Sequence, residues 1–160
     1  MTRTAASALL VAAVLAIPAP LHAEQATFFV IDAIKQDNGE IAIGTLVRQR
    51  GASAKVRDLG ATLVRDHAAS KAEAIESGRA VGVGVPTQMT AEARHVLRKL
   101  AGLSGAAFDS AFLTATIKDY RKTIDKFAEQ GRNGDPVTSK LAEDALPRLR
   151  EHLQIALSLR

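Results

Sequence analysis

The stretch AKVRDLGATLVRDHAASKAEA, Ala54 to Ala74, decides the fold. Val56, Gly60, Leu63, His67 and Ala74 recur at spacings of three, four and seven, so they share one stripe of a helix while Arg57, Asp58 and Arg65 fall off it. The stripe is apolar or small except at His67. A helix of this kind buries one face, and here that face carries an imidazole.

Working outward, no stretch longer than a few residues alternates as a strand would, and the chain is rich in Ala and Leu with 4% aromatic residues. The periodicity predicts four long helices at about 27–50, 54–80, 105–131 and 137–159, with a shorter one at about 91–102. Punctuation agrees with these limits. Gly51 separates the first pair, and Ser53, Thr90, Ser104 and Asp135 stand where N-caps are needed. Pro136 takes the first helical position, where a missing N–H costs nothing. Gly82, Gly84 and Pro86 break the chain after the second helix, and with no strand before them they do not form a phosphate-binding loop. Pro147 lies inside the last helix, just over one turn before His152.

The word VRDH, Val64 to His67, returns as IKDY, Ile117 to Tyr120, and as LREH, Leu149 to His152. Each copy runs aliphatic, basic, acidic, then a ring that can hydrogen-bond. The inward stripes are Phe29, Ala33, Gln36, Glu40, Ile43 and Val47 on the first helix, and Leu113, Ile117, Tyr120, Ile124 and Phe127 on the third long one. The last reads Leu141, Ala145, Leu149, His152, Ala156 and Leu159. Glu40, His67, Tyr120 and His152 are therefore expected to point inward. At about 1.5 Å per residue, helices alternating up and down in a bundle about 36 Å tall place Glu40 near 20 Å, Tyr120 near 22 Å, His67 near 16 Å and His152 near 14 Å. Four helices would then deliver one polar layer.

Two readings of that layer stay open. Imidazoles with a carboxylate from facing helices are a recipe for one transition-metal ion, with Glu40, His67, Tyr120 and His152 as ligands. A hydrogen-bonded layer that sets helix register uses the same residues without any metal. The acids that precede the rings, Asp66, Asp119 and Glu151, lie about 100° round each helix, placed either to support a ring from behind or to pair with surface Arg and Lys.

Other chemistries find little support. A di-iron centre needs a Glu-x-x-His motif on two helices, and only Glu92 with His95 matches, on the short helix away from the layer. Ser70 and Ser110 lack an elbow or oxyanion motif. With no Cys there is neither a disulfide nor a thiolate ligand, and Met89 alone cannot complete a blue-copper site. The expected role is non-enzymatic.

The N-terminus MTRTAASALLVAAVLAIPAPLHA reads as a signal peptide, with Arg3, an apolar run from Ala8 to Ile17 and small Ala23 before Glu24. The run is shorter than the roughly 20 residues of a membrane span. The expectation is cleavage after Ala23, leaving one domain over 24–160 in the periplasm or associated with the outer membrane. Arg3 is the only charged residue lost, so the formal charge of +4 falls to +3. That is no nucleic-acid footprint, because Arg48, Arg50, Lys55, Arg57 and Arg65 are interleaved with acids and apolar groups.

The segments NGEIAIGTLVRQRGASAKVRDLGATLVRDH, GLSGAAFDSAF, IKDY and LPRLREHLQIAL together resemble the secreted bacterial proteins grouped as domain of unknown function 4142. The markers are Glu40 after Gly39, Asp66-His67, Gly105 to Asp109, and Leu146-Pro147 through His152. The resemblance implies a ferritin-like up-down-up-down four-helix bundle with a short extra helix, in the envelope of a Gram-negative bacterium, and no established activity. The family pattern usually carries a second Asp-His where this chain has Asp119-Tyr120. Two His, a Glu and a neutral phenol make a weaker donor set than three His and a Glu.

Overall fold

The computed structural model describes residues 19–160, with side chains from Ala23 onward. Among these residues all regular structure is helical: α1 Ala19–Arg50, α2 Ala54–Ala80, α3 Ala91–Ala101, α4 Gly105–Asn133 and α5 Pro136–Ser158. The signal-peptide reading falls mostly on residues 1–18, outside the described part, and Ala23 lies within α1. α1 begins at Ala19 rather than near residue 27. The Ala, Leu, Glu and Gln of this segment favour helix intrinsically, which an apolar stripe starting at Phe29 does not register.

Caps form largely where the sequence calls for them. Ser53 accepts from the Val56 N–H at 3.2 Å and Thr90 from the Ala93 N–H at 3.1 Å. Asp135 accepts from the Val137 N–H at 2.9 Å, ahead of Pro136. Ser104 is the exception. Its side chain makes no cap bond, and the chain enters α4 through Gly105 at φ 59°, a left-handed conformation that glycine takes without steric cost. α5 runs unbroken through Pro147.

The helices pack as a bundle. The closest pairs are α1 with α2 and α4 with α5; α2 then meets α5, and α3 lies against α1 and α4. α1 and α2 come together where two glycines face each other: a Cβ on Gly60 would stand 2.7 Å from the Arg48 nitrogen and 2.9 Å from the Gly44 oxygen. Only hydrogen at both positions permits that approach. The far hairpin is tied to this one by Asp109 of α4, which accepts from the N–H groups of Ala52 and Ser53 at 2.8 and 2.9 Å. Val30, Leu63, Phe108 and Phe112 are fully buried in the core, each contributing about 1.5–3 kcal/mol. No described helix is long and apolar enough to cross a membrane.

Candidate functional site

The periodicity that makes each helix amphipathic also brings its one polar ring or acid to the axis of the bundle. Glu40, His67, Tyr120 and His152 are all buried, Tyr120 to 1% exposure. They converge on a single atom, the Tyr120 hydroxyl. His67 Nε2 lies 2.7 Å from that oxygen, His152 Nδ1 3.2 Å and Glu40 Oε2 3.3 Å. The height estimate from chain position alone thus placed four groups from four helices correctly within one layer.

Each imidazole is held from behind by a carboxylate. Asp37 Oδ1 takes His67 Nδ1 at 2.8 Å, and Asp66 Oδ2 takes His152 Nε2 at 2.9 Å. The result is a continuous chain from Asp37 through His67, Tyr120 and His152 to Asp66. No buried side-chain nitrogen or oxygen among the described residues lacks a hydrogen-bond partner.

The proton count orients this chain. The hydroxyl has one proton and three neighbours, so it donates once and otherwise accepts. His152 gives its Nε2–H to Asp66, and its Nδ1 is then the acceptor for the phenol proton. His67 gives Nδ1–H to Asp37, and as imidazolium it also gives Nε2–H to the phenol oxygen. The electrostatics run the same way. Burial alone would depress His67, yet the Asp37 hydrogen bond and the Glu40 and Asp37 charges hold its pKa above the ordinary value. Burial, reinforced by His67, keeps His152 below its own. Burial lifts Glu40 to about 7 with help from Asp119, against the pull of His67 and the Tyr120 bond. The phenol proton thus has two acceptors within reach, His152 Nδ1 and Glu40 Oε2, and it can serve either. Burial and the Glu40 charge push Tyr120 well above its ordinary range, so the phenol stays neutral.

The acids flanking the rings part company. Asp66 does both things open to it, holding His152 with one oxygen and pairing with exposed Arg65 at 2.8 Å with the other. Asp119 touches neither ring and lines a cleft between α1, α3 and α4. Glu151 is exposed and makes no side-chain bond. His95 is exposed too, so Glu92 and His95 stand apart from the layer.

Asp37 is the member that the sequence reading missed. It is 6% exposed, while the residue placed inward in its stead, Gln36, is half-buried and bonds the Thr123 hydroxyl at 2.7 Å. The series Ala33, Asp37, Glu40 fits the helical stripe as well as one through Gln36, and a buried His needs a partner for its second nitrogen. Together those two signals single out Asp37.

The family described as a domain of unknown function (DUF4142) matches residues 12–159. The chain belongs to that family. The match takes in all five helices, so every residue of the layer lies in the family's shared region. No curated protein and no solved structure matches the chain.

A metal reading of this DUF4142 layer meets a specific obstacle. The point where the two ring nitrogens and the Glu40 oxygen meet is filled by the phenol oxygen. Among the described residues, no group of three or more His, Asp or Glu is placed to hold one ion. In the donor set read from the sequence, that hydroxyl is itself one of the four ligands, beside Glu40, His67 and His152.

Proposed function

We propose that this DUF4142 chain is an exported, envelope-associated helical-bundle module, non-enzymatic, whose buried polar layer holds the four long helices in register. We read the arrangement as ferritin-like, up-down-up-down, with α3 as the short extra helix. The observation that carries this reading is the continuous hydrogen-bond chain from Asp37 to Asp66, in which each buried ring is partnered at both of its ends. Buried polar networks of this kind penalise any slip of one helix past another, because a shift of one turn would leave several buried groups unpaired. Export is supported by the apolar run from Ala8 to Ile17 behind Arg3.

A second reading, a metal-binding or metal-dependent redox protein, has one observation in its favour. Two carboxylate-backed imidazoles and a third carboxylate already converge on one point, an arrangement that orients metal ligands elsewhere. In that reading the Tyr120 hydroxyl, at the same point, is the fourth donor.

One experiment separates the two. The purified protein is offered iron, zinc, copper and manganese in turn, and bound metal and thermal midpoint are measured. The register reading expects no stoichiometric metal and an unmoved midpoint. Stoichiometric binding that disappears in both His67→Ala and His152→Ala would overturn it. Export is checked by expressing the full chain in a Gram-negative host and sequencing the N-terminus of the periplasmic product, with a start at Glu24 as the expected result.

A further inference from the structure

Tyr120 is the only tyrosine in the chain, which has no Trp and no Cys, and Met89 is the one methionine among the described residues. Its phenol is therefore the side chain from which a single electron is most readily removed. Loss of an electron makes a phenol proton strongly acidic, so the proton must leave with it. A charged radical in the core would otherwise stand without solvent at a large desolvation cost. Tyr120 is 1% exposed, so the acceptor for that proton has to be a side chain already in place.

The layer supplies one. His152 Nδ1 stands 3.2 Å from the hydroxyl, and its other nitrogen, Nε2, gives its hydrogen to Asp66 at 2.9 Å. That bond fixes the tautomer whose Nδ1 can accept, and it sets a carboxylate against the imidazolium that would form. Asp66 is joined in turn to Arg65, whose side chain is 71% exposed, so the compensating charges extend to the surface. Around the same phenol oxygen stand His67 Nε2 of α2 at 2.7 Å and Glu40 Oε2 of α1 at 3.3 Å, while Asp119, beside Tyr120 on α4, bonds neither ring. Holding helices in register requires only that each buried polar atom be paired. It does not require that the partner of an oxidisable phenol be a base whose conjugate acid is stabilised in advance.

We propose that Tyr120 is a reversible one-electron donor: an outer-sphere one-electron oxidant takes an electron from the ring while the phenol proton moves to His152 Nδ1. The phenol O–H bond breaks and an imidazole N–H bond forms. The products are a neutral tyrosyl radical, an imidazolium at His152 and the oxidant reduced by one electron. His67 keeps its hydrogen bond to the oxygen throughout. A one-electron reductant of the ascorbate or hydroquinone class reverses the step, its electron returning to the ring as the proton returns from Nδ1. The electron passes through packed side chains, so neither reagent has to enter the core, and burial keeps the radical from coupling to a second ring. The proposal rests on the same hydrogen-bonded layer as the register reading, though not on the layer's part in holding the helices.

Flash photolysis of the purified protein with tris(bipyridine)ruthenium and persulfate tests this, read by electron paramagnetic resonance and visible absorbance. The folded protein should give a tyrosyl signal that outlives the signal of the same chain unfolded in urea. Growth on ring-deuterated tyrosine should narrow the resonance, which assigns it to Tyr120 without any substitution, since no other tyrosine is present. Tyr120→Phe should lose the signal. Formation of the radical should be slower in deuterium oxide, and His152→Ala should slow it about 100-fold, the contribution of a positioned proton acceptor. Circular dichroism verifies that both variants are folded, and the label and the solvent isotope effect need neither. Absence of a tyrosyl signal from the folded protein overturns the proposal, as does a lifetime no longer than in urea, or a rate unchanged by deuterium oxide or by His152→Ala. Register is judged by metal content and thermal midpoint, so either conclusion can fail alone.

Discussion

His67 Nε2 and the Tyr120 hydroxyl lie 2.7 Å apart at the centre of the bundle, and that contact joins α2 to α4 although the two helices are not a closely packed pair. The layer therefore connects helices across the axis, not merely neighbours round it. Its members stand or fall together, which makes single substitutions informative.

Tyr120→Phe removes one oxygen and leaves the ring. His67 Nε2, His152 Nδ1 and Glu40 Oε2 then lose their common partner inside the core. Leaving buried polar groups unpaired costs about 1–3 kcal/mol, which for a chain of this size lowers the thermal midpoint by roughly 2–12 °C. Calorimetry or urea denaturation reads the change. A variant as stable as the parent would show that the hydroxyl contributes nothing to register.

The pH profile should bear the mark of Glu40. Its carboxyl ordinarily titrates at 4.5 and is lifted to about 7 by burial in the folded chain. The folded state holds this proton more tightly, so the contribution is complete below pH 4.5 and is lost as pH rises to about 7, roughly 3 kcal/mol over that window. His67, also raised, carries the loss to higher pH, whereas His152, held low, adds stability above its ordinary value and loses it as pH falls. Glu40→Gln should flatten the decline between pH 4.5 and 7 when unfolding free energies are measured in urea at several pH values. Equal slopes in the two proteins would contradict the assignment.

Arg65 and Asp66 form an ion pair, yet their removal should have unequal effects. The Arg65 side chain is 71% exposed, and such pairs are worth about 0.2–1 kcal/mol. Asp66 also holds the buried Nε2 of His152, so Asp66→Ala strands a donor at a cost of about 1–3 kcal/mol. Denaturation midpoints of Arg65→Ala and Asp66→Ala give the comparison. Matching losses would mean that Asp66 serves only the surface pair.

Gly60→Ala tests the α1/α2 contact. The added methyl would meet backbone of the opposing helix at 2.7 and 2.9 Å, where no flexible side chain can yield. Overpacking of this kind costs about 1–3 kcal/mol, outweighing the gain in helix propensity of about 1 kcal/mol that Ala has over Gly. A stabilised variant would show that the helices can part without penalty.

Much of this was legible before any coordinates. Helix number and most helix limits follow from the 3.6-residue period with Ser53, Thr90 and Asp135 as caps, because those are local properties. The early start of α1 and the uncapped Ser104 were not, since propensity outlasts the apolar stripe in one case and a left-handed Gly105 sets the entry in the other.

By itself, the sequence determined that Glu40, His67, Tyr120 and His152 each lie on the inward stripe of their own helix, at heights compatible with one layer, since rise and period are the same for every helix. Only the tertiary structure decided that they meet on one hydroxyl, that Asp37 backs His67, and that Asp66 rather than Asp119 or Glu151 backs a ring. It alone also placed Asp119 with Glu40 and Glu92 around a cleft. The reason is geometric: periodicity fixes direction about a single axis, whereas a contact of 3 Å depends on how far and at what rotation two axes pack, and that is settled by all the side chains between them.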